Sequence, residues 1–121
     1  MVTTSTTAAT TEMEQCIINC MECYRVCEET LMYSVQKGGQ FAEPMNLSLL
    51  ADCARVCALS ADFMIRQSER HILTCGICAS ICEACAKVCE QMANEPMMHR
   101  CAEVCNHCAD SCRDMSGMPR A

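Results

Sequence analysis

The positions of cysteine and other apolar residues along the chain predict four helices. Apolar residues recur at steps of three and four, which is the period of one helical face, and no alternation typical of a strand competes with it. Gly38 and Gly39 end the first helix, and Pro96 suits the first position of the fourth. The predicted helices run from about Glu12 to Gln36, from an N-cap at Asn46 to about Gln67, from about Glu69 to Met92, and from Pro96 to about Met115.

The chain of 121 residues is predicted to form one domain with short tails. Residues 1–11 are rich in Thr, Ser and Ala and offer nothing to bury, so we expect a disordered N-terminal tail. The domain then spans residues 12–115, and residues 116–121 form a C-terminal tail. Helices of about 20–25 residues with short connections favour an all-α, antiparallel four-helix bundle about 30–37 Å long.

Cysteines occupy the helical faces that leucines would normally fill. The chain has 15 Cys, whereas Leu, Ile, Val and Phe together supply only 20 residues. The first and fourth helices share the spacing C-x3-C-x2-C-x3-C, and the third helix extends it. We call each row of cysteines a thiol seam. The four seams are Cys16, Cys20, Cys23 and Cys27; Cys53 and Cys57; Cys75, Cys78, Cys82, Cys85 and Cys89; and Cys101, Cys105, Cys108 and Cys112.

Each thiol seam is predicted to face the interior of the bundle. At 100° per residue, offsets of 0, 4, 7 and 11 fall within about 60° of one another and extend along about 16 Å. These offsets are the core positions of a helical bundle. Buried cysteine can also act as a small hydrophobe, but 13 cysteines in three matching seams make that interpretation unattractive. We therefore expect a cysteine-lined interior.

Ordinary packing is predicted on the flanks of the seams. On the first helix a second apolar stripe suits contact with a neighbouring helix or another subunit. Because this stripe can pack the helices together, we expect the protein to be helical before any ligand binds to the cysteines. The stripe consists of Ile17, Met21, Tyr24, Leu31 and Val35. Charged residues are expected on solvated faces, among them Arg25, Glu29, Arg55, Lys87, Arg100 and Arg113.

Charge and composition exclude several classes of partner. The net charge of −6, with no Trp and few other aromatic residues, disfavours binding to nucleic acid. The N-terminus lacks a basic segment followed by an apolar one, and no run of about 18 apolar residues is present, so we expect neither export nor a membrane span. A cytoplasmic location follows as an expectation, and there thiols stay reduced and serve more often as metal ligands than as disulfides.

The length of the seams predicts many metal ions in a row. Cysteines spread over about 16 Å cannot converge on one ion. Zinc knuckles in loops and ferredoxin spacing are both absent from the sequence. Soft thiolates select Cu(I). Bridging thiolates with monovalent copper form a neutral array, and burying a neutral array costs little desolvation free energy. We predict on the order of 15 Cu(I) ions per chain as an upper value, with no catalytic residues.

Two further residues are candidate ligands at one end of the array. His71 lies four residues before Cys75 on the same face, and Met64 lies eleven residues after Cys53 and continues its seam. A histidine at the start of a helix and a methionine at the end of a bundle also serve as ordinary packing residues. Both interpretations remain open for His71 and Met64.

The predicted array of Cu(I) ions favours copper storage or sequestration as the function. Two other functions remain as alternatives. A metallothionein-like buffer for zinc or cadmium would use the same thiols. A thiol redox enzyme or sensor would use the C-x2-C pairs, although no thioredoxin-like βαβ pattern accompanies them. Anaerobic loading with Cu(I) distinguishes these three functions.

The stretch Cys75-Gly-Ile-Cys-Ala-Ser-Ile-Cys-Glu-Ala-Cys-Ala-Lys-Val-Cys89, with C-x3-C-x2-C-x3-C repeated on other helices, resembles the bacterial four-helix-bundle copper storage proteins. The resemblance covers about residues 12–115. It implies storage of many Cu(I) ions, thiolate ligands at all fifteen cysteines, assembly as a homotetramer, and a role in metal homeostasis that involves copper donor or acceptor proteins. Members without a twin-arginine signal are cytosolic, and this chain is similar to them.

Overall fold

The computed structural model describes residues 7–117, and side chains from residue 11 onward. Four long helices and one short 3-10 helix make up this part of the chain, which contains no strand. The elements are α1 (Thr7–Lys37), a 3-10 helix (Gly39–Ala42), α2 (Pro44–Ile65), α3 (His71–Glu90) and α4 (Pro96–Ser116). The all-α prediction is confirmed.

The four helices pack around a common axis. Each helix contacts its neighbours in sequence, and α1 also contacts α4, which closes the ring. The Sγ atoms of Cys16 and Cys112 are 3.7 Å apart, and those of Cys27 and Cys101 are 4.0 Å apart, so α1 and α4 run in opposite directions. The short connections make the other neighbours antiparallel as well. The predicted antiparallel four-helix bundle is confirmed.

Helix α1 begins five residues before the predicted start at Glu12. Residues 7–11 are helical, so the expectation of a disordered tail is wrong for them, while residues 1–6 lie outside the described part of the chain. Ala8 and Ala9 have the strongest helix propensity of any residue type. A helix already held by packing gains one hydrogen bond for each residue added, which favours this extension.

Helix α2 begins at Pro44 and not after an N-cap at Asn46. Proline suits the first helical position because the backbone N–H that it lacks would have no helical partner there. The Asn46 side chain instead donates to the backbone oxygen of Gln40 at 3.2 Å, which holds the 3-10 helix against the start of α2. No helix was predicted between the first and second long helices, so the 3-10 helix is an addition to the prediction.

The remaining helix ends differ from the predictions by one or two residues. Helix α2 ends at Ile65 and α3 spans His71–Glu90, because the chain turns at Gln67, whose φ is 58°. Helix α4 continues through Ser116 and is capped by Gly117 in the left-handed region, with φ 74°. Ser116, which was expected in the C-terminal tail, is therefore helical, and residues 118–121 lie outside the described chain.

Rows of alanine allow the helices to approach one another. Five of these alanines directly follow a cysteine of a thiol seam and the sixth follows Ser60, and the two members on each helix are seven residues apart. All six are buried, and their single methyl groups allow small interaxial distances. We call them the alanine rows: Ala54 and Ala61 on α2, Ala79 and Ala86 on α3, and Ala102 and Ala109 on α4.

Polar contacts fasten neighbouring helices at the rim of the bundle. Arg113 of α4 pairs with Glu83 of α3 at 3.2 Å and is only 7% exposed. Arg113 was expected on a solvated face, and that expectation is wrong because its guanidinium bridges two helices. Near the other end of the bundle, Glu95 accepts hydrogen bonds from Lys37 at 2.9 Å and Tyr33 at 3.0 Å. These two bonds lower the pKa of Glu95.

Helix α3 is long and apolar enough to cross a membrane by length and composition alone, with a mean hydropathy of 1.7 over its most apolar window. The sequence analysis expected no such stretch, and cysteine accounts for much of the apolar character. All five cysteines of α3 are buried inside the bundle. Core helices also meet this criterion, so it is weak support for a membrane span.

Candidate metal centre

The interior of the bundle is a continuous array of reduced thiols. All fifteen cysteines are buried and none forms a disulfide. Many Sγ atoms are in close contact, for example those of Cys20 and Cys112 at 3.4 Å and those of Cys78 and Cys108 at 4.0 Å. The four seams converge because helices with the same three- and four-residue period pack around one axis. The predicted cysteine-lined interior is confirmed.

The thiols form overlapping groups of four in which all Sγ atoms lie within 4.8 Å of one another. Cys53 shows the overlap: its Sγ lies 3.9 Å from Cys23, 3.5 Å from Cys82 and 3.9 Å from Cys105, on three other helices. Five such groups are Cys20, Cys78, Cys108 and Cys112; Cys23, Cys53, Cys57 and Cys82; Cys23, Cys27, Cys53 and Cys105; Cys27, Cys85, Cys101 and Cys105; and Cys57, Cys78, Cys82 and Cys108. Because groups share members, a thiol can bridge two ions.

The spacing of the thiols suits metal binding with little movement. A metal–thiolate bond is about 2.3 Å long, so two sulfurs on opposite sides of an ion lie at most about 4.6 Å apart. The observed separations of 3.4 to 4.0 Å fall within 1.2 Å of that limit. Side-chain rotations that move the Sγ atoms apart by about one ångström or less are therefore sufficient to admit ions between the seams.

Hydrogen bonds among the thiols divide them into those that ionise more and less readily. Hydrogen bonding to Cys101 and Cys85, together with burial, raises the pKa of Cys89 above its usual range. The pKa of Cys75 rises to about 12, because its contact with Cys16 and its burial outweigh the opposite effect of Cys112. Hydrogen bonds from Cys112 and other thiols instead lower the pKa of Cys16.

One end of the thiol array is closed by buried residues that are not cysteine. Thr30 and Ser34 continue the seam of α1 at offsets of 14 and 18 from Cys16, and both are fully buried. The Thr30 hydroxyl donates to the backbone oxygen of Val26 at 2.7 Å. Leu50 and Met98 are also buried at this end. The roles of Thr30 and Ser34 were not predicted, although their helical offsets already placed them on the thiol face.

The opposite end carries sulfur and nitrogen donors in place of hydroxyl groups, and most of them are less buried than Thr30 and Ser34. Met13, His71 and Met115 are half-buried there, and Met64 is 1% exposed. The Nδ1 atom of His71 lies 2.8 Å from the backbone oxygen of Ser68. Because a carbonyl oxygen only accepts, this bond requires the hydrogen on Nδ1 and leaves the Nε2 lone pair of the neutral ring for a ligand. The roles of His71 and Met64 as ligands stay predictions.

Such a bundle defines a class of protein that holds several soft metal ions in its core, since reduced thiols meet at ligand distances along its axis. The profile of the copper storage protein family, Csp, matches residues 9–117. The chain therefore belongs to the copper storage protein family, as its sequence motifs indicated.

Solved structures with the same fold include proteins from Nitrosospira multiformis and Bacillus subtilis. A crystal structure of a protein from Nitrosospira multiformis is 38% identical, with a TM-score of 0.83 over 88% of this chain and 96% of that one. The Cu(I)-bound copper storage protein BsCsp3 is 30% identical, with a TM-score of 0.81 over 87% and 98%. Apo-Csp3 from Bacillus subtilis is also 30% identical, with a TM-score of 0.75 over 85% and 97%.

A curated relative gives a shorter match. The uncharacterized cysteine-rich protein YhjQ of Bacillus subtilis is 31% identical over 71 residues. This match covers 59% of the present chain and 66% of YhjQ, so the chain spans slightly less than two thirds of that relative's length.

Proposed function

We propose that this protein stores many Cu(I) ions by binding them between cysteine thiolates in the bundle core. The observation that carries the proposal is the unbroken overlap of thiol groups, in which Cys53 and Cys57, for example, each contact sulfurs on both α3 and α4. Membership of the copper storage protein family and the similarity to Cu(I)-bound BsCsp3 support it. The protein acts as a ligand scaffold in copper homeostasis and turns over no substrate.

Shared thiols favour copper over zinc. A four-thiolate group could hold one Zn²⁺ ion, and such a site carries a net charge of about −2 that is costly to bury. Cys57, Cys78 and Cys82 each belong to two of these groups, so the groups cannot all be filled with independent zinc ions. If each thiolate bridges two Cu(I) ions and each ion takes two thiolates, the array approaches one ion per cysteine and is neutral.

The proposed ligands are the fifteen cysteines, with His71 and Met64 at the less buried end. A histidine Nε2 and a thioether are soft enough to hold Cu(I) for a short time as it passes between solvent and the thiols. The opposite end is closed by Leu50, Met98 and the two hydroxyl residues, so we infer that copper enters and leaves near His71. Donor or acceptor proteins would then dock at this end.

We also propose that the protein works in the cytoplasm, where reduced thiols and Cu(I) coexist. Support comes from the fifteen cysteines, all of them free, because thiols stay reduced in that compartment. Cell fractionation that finds the protein with exported proteins would contradict this location.

The protein is proposed to assemble with copies of itself into a homotetramer. Apolar side chains are left exposed on the outer faces of α1 and α3, including Met32 at 56% and Leu73 at 68% exposure. An unpartnered apolar surface of this kind marks an interface. Size-exclusion chromatography with light scattering is expected to give four chains per particle, and Met32→Lys or Leu73→Lys to shift it toward smaller species. A monomeric wild-type protein would refute the assembly.

Anaerobic titration with Cu(I) in the presence of a competing chelator tests the storage function. We expect saturation on the order of 15 ions per chain, counted by native mass spectrometry. The double variant Cys53→Ala and Cys57→Ala removes two bridging thiols and is expected to bind about two ions fewer, whereas Met45→Ala, which alters a residue 80% exposed, should load like the wild type.

Three results would contradict copper storage. Saturation at one or two ions would show that the thiol array is not a store. Zinc that loads tightly and resists displacement by Cu(I) would favour the zinc or cadmium buffer. Rapid and reversible disulfide formation on mild oxidation, without multiple copper binding, would favour a redox sensor.

A further inference from the structure

Helix α2 carries the same spacing of interior positions as α1 and α4, but only half of those positions are cysteine. The offsets 0, 4, 7 and 11 hold Cys53, Cys57, Ser60 and Met64, where the other two helices have four cysteines. Ser60 therefore occupies the seam position that corresponds to Cys23 on α1 and, on α4, to the third cysteine of its seam.

The Ser60 side chain is buried without a hydrogen-bond partner. It is 0% exposed, and within the described part of the chain its Oγ is a buried side-chain oxygen with no partner. A buried hydroxyl ordinarily finds a partner, because leaving it unpaired costs stability. Thr30, also on the thiol face, shows the usual solution by donating to the backbone one turn earlier. Ser60 does not do so.

The register of the helices places Ser60 at the level of three cysteines. The Sγ of Cys57 lies 3.7 Å from both Cys78 and Cys108. One helical turn further along α2, toward the His71 end, the corresponding positions on the antiparallel α3 and the parallel α4 are Cys75 and Cys112. Cys16 completes this level, since its Sγ is 3.7 Å from Cys112. We call this set, with Ser60, the Ser60 layer.

The Ser60 layer has one sulfur ligand fewer than the layer beneath it. The next layer inward has a cysteine on every helix: Cys20, Cys57, Cys78 and Cys108. A serine hydroxyl is a hard oxygen donor and a poor ligand for Cu(I). Ions in the Ser60 layer therefore have fewer bridging thiolates than ions in the next layer inward.

We propose that Ser60 makes its layer the exchange site of the copper store, by withholding a fourth sulfur and by donating its hydroxyl to a thiolate of that layer when copper is bound. This inference rests on the proposed storage function. A neutral thiol is a weak acceptor, whereas a thiolate is a strong one, so loading supplies the partner that the hydroxyl lacks. The proton of each ligand thiol leaves to solvent as the ion binds.

Two variants separate the two parts of the proposal. Ser60→Cys supplies the missing sulfur, so we expect about one additional Cu(I) ion per chain and slower loss of the most labile ions to excess chelator. Ser60→Ala leaves the ligand set unchanged, so the number of ions stays that of the wild type. It removes a hydrogen bond to a charged acceptor, and the most labile ions are expected to leave about tenfold faster.

The matched control is Ala61→Cys, which adds a buried thiol next to Ser60 but about 100° away around the helix, in an alanine row. It should load the same number of ions as the wild type. Release is followed anaerobically by the absorbance of a chelator–Cu(I) complex, and circular dichroism of each metal-free variant checks the fold. If Ser60→Cys does not fold, the release rate of Ser60→Ala decides the result.

Several outcomes would overturn the proposal. They are a Ser60→Cys variant that loads and releases copper as the wild type does, an equal gain of copper in Ala61→Cys, and a Ser60→Ala variant with unchanged release. If the variants give these outcomes while the wild type still loads many ions, only the role of Ser60 is refuted and the storage function stands. A wild type that saturates at one or two ions refutes the storage function itself.

Discussion

Loading with Cu(I) is expected to raise the midpoint of thermal unfolding by roughly 20 °C or more. An ion that binds only the folded chain stabilises it by about 4 kcal/mol when its free concentration is about 1,000 times Kd, and each 1 kcal/mol shifts the midpoint of a domain of this size by a few degrees. Many ions would bind. An ion held among Cys23, Cys53 and Cys105 would link α1, α2 and α4, because these three Sγ atoms lie close together. Anaerobic melting followed by far-UV circular dichroism measures the shift.

The metal-free protein provides the reference for this measurement. We expect it to be helical already, because the bundle also buries residues that are not metal ligands, among them the alanine rows, Leu50 and Met98. Removal of copper with excess chelator should return the midpoint to the metal-free value. A chain that is a coil until copper is added would contradict a preformed scaffold, and a shift of only a few degrees would contradict many bridging ions.

Acidification is expected to weaken copper binding by about tenfold per ion for each pH unit. Every ligand thiol must lose its proton to bind, and raised pKa values, about 12 for Cys75, keep such thiols protonated at neutral pH. Below its pKa the thiolate fraction falls tenfold per unit, so affinity is gained as pH rises toward the pKa and lost as pH falls. Chelator competition at about pH 6, 7 and 8, corrected for protonation of the chelator, measures this dependence.

A direct count of protons serves as the control. Copper added to the metal-free protein in weakly buffered solution should release close to one proton per ion bound. Affinity that does not change with pH, together with little proton release, would show that thiolates exist before copper arrives.

The thiol interior could be predicted from the sequence because it depends on a period. Cys16 through Cys27 and Cys101 through Cys112 fall on one face of any helix that contains them, whatever the rest of the fold. Helix ends depend on weaker local preferences. Asn46 has the side chain of a good N-cap, but Pro44 two residues earlier fits the first turn better, and α2 begins there.

Other features depend on how the helices meet. The sequence gives no sign that Arg113 pairs with Glu83 and is buried, because the pairing needs the register between α3 and α4. The unpaired hydroxyl of Ser60 likewise emerges only from the packed interior. The alanine rows could have been predicted from the sequence, since Ala79 and Ala86 repeat at seven residues beside a seam. Their role in spacing the helices is evident only in the structure, where these alanines are buried.

The alanine rows imply how a bundle of this kind could change its capacity. Small residues between the helices fix the width of the interior, which admits one seam from each helix and no more. Each additional seven residues lengthen a helix by about 10.5 Å and add two interior positions to it, or about eight ligands across four helices. Capacity therefore scales with the length of the helices, so relatives that hold more metal should be taller and not broader.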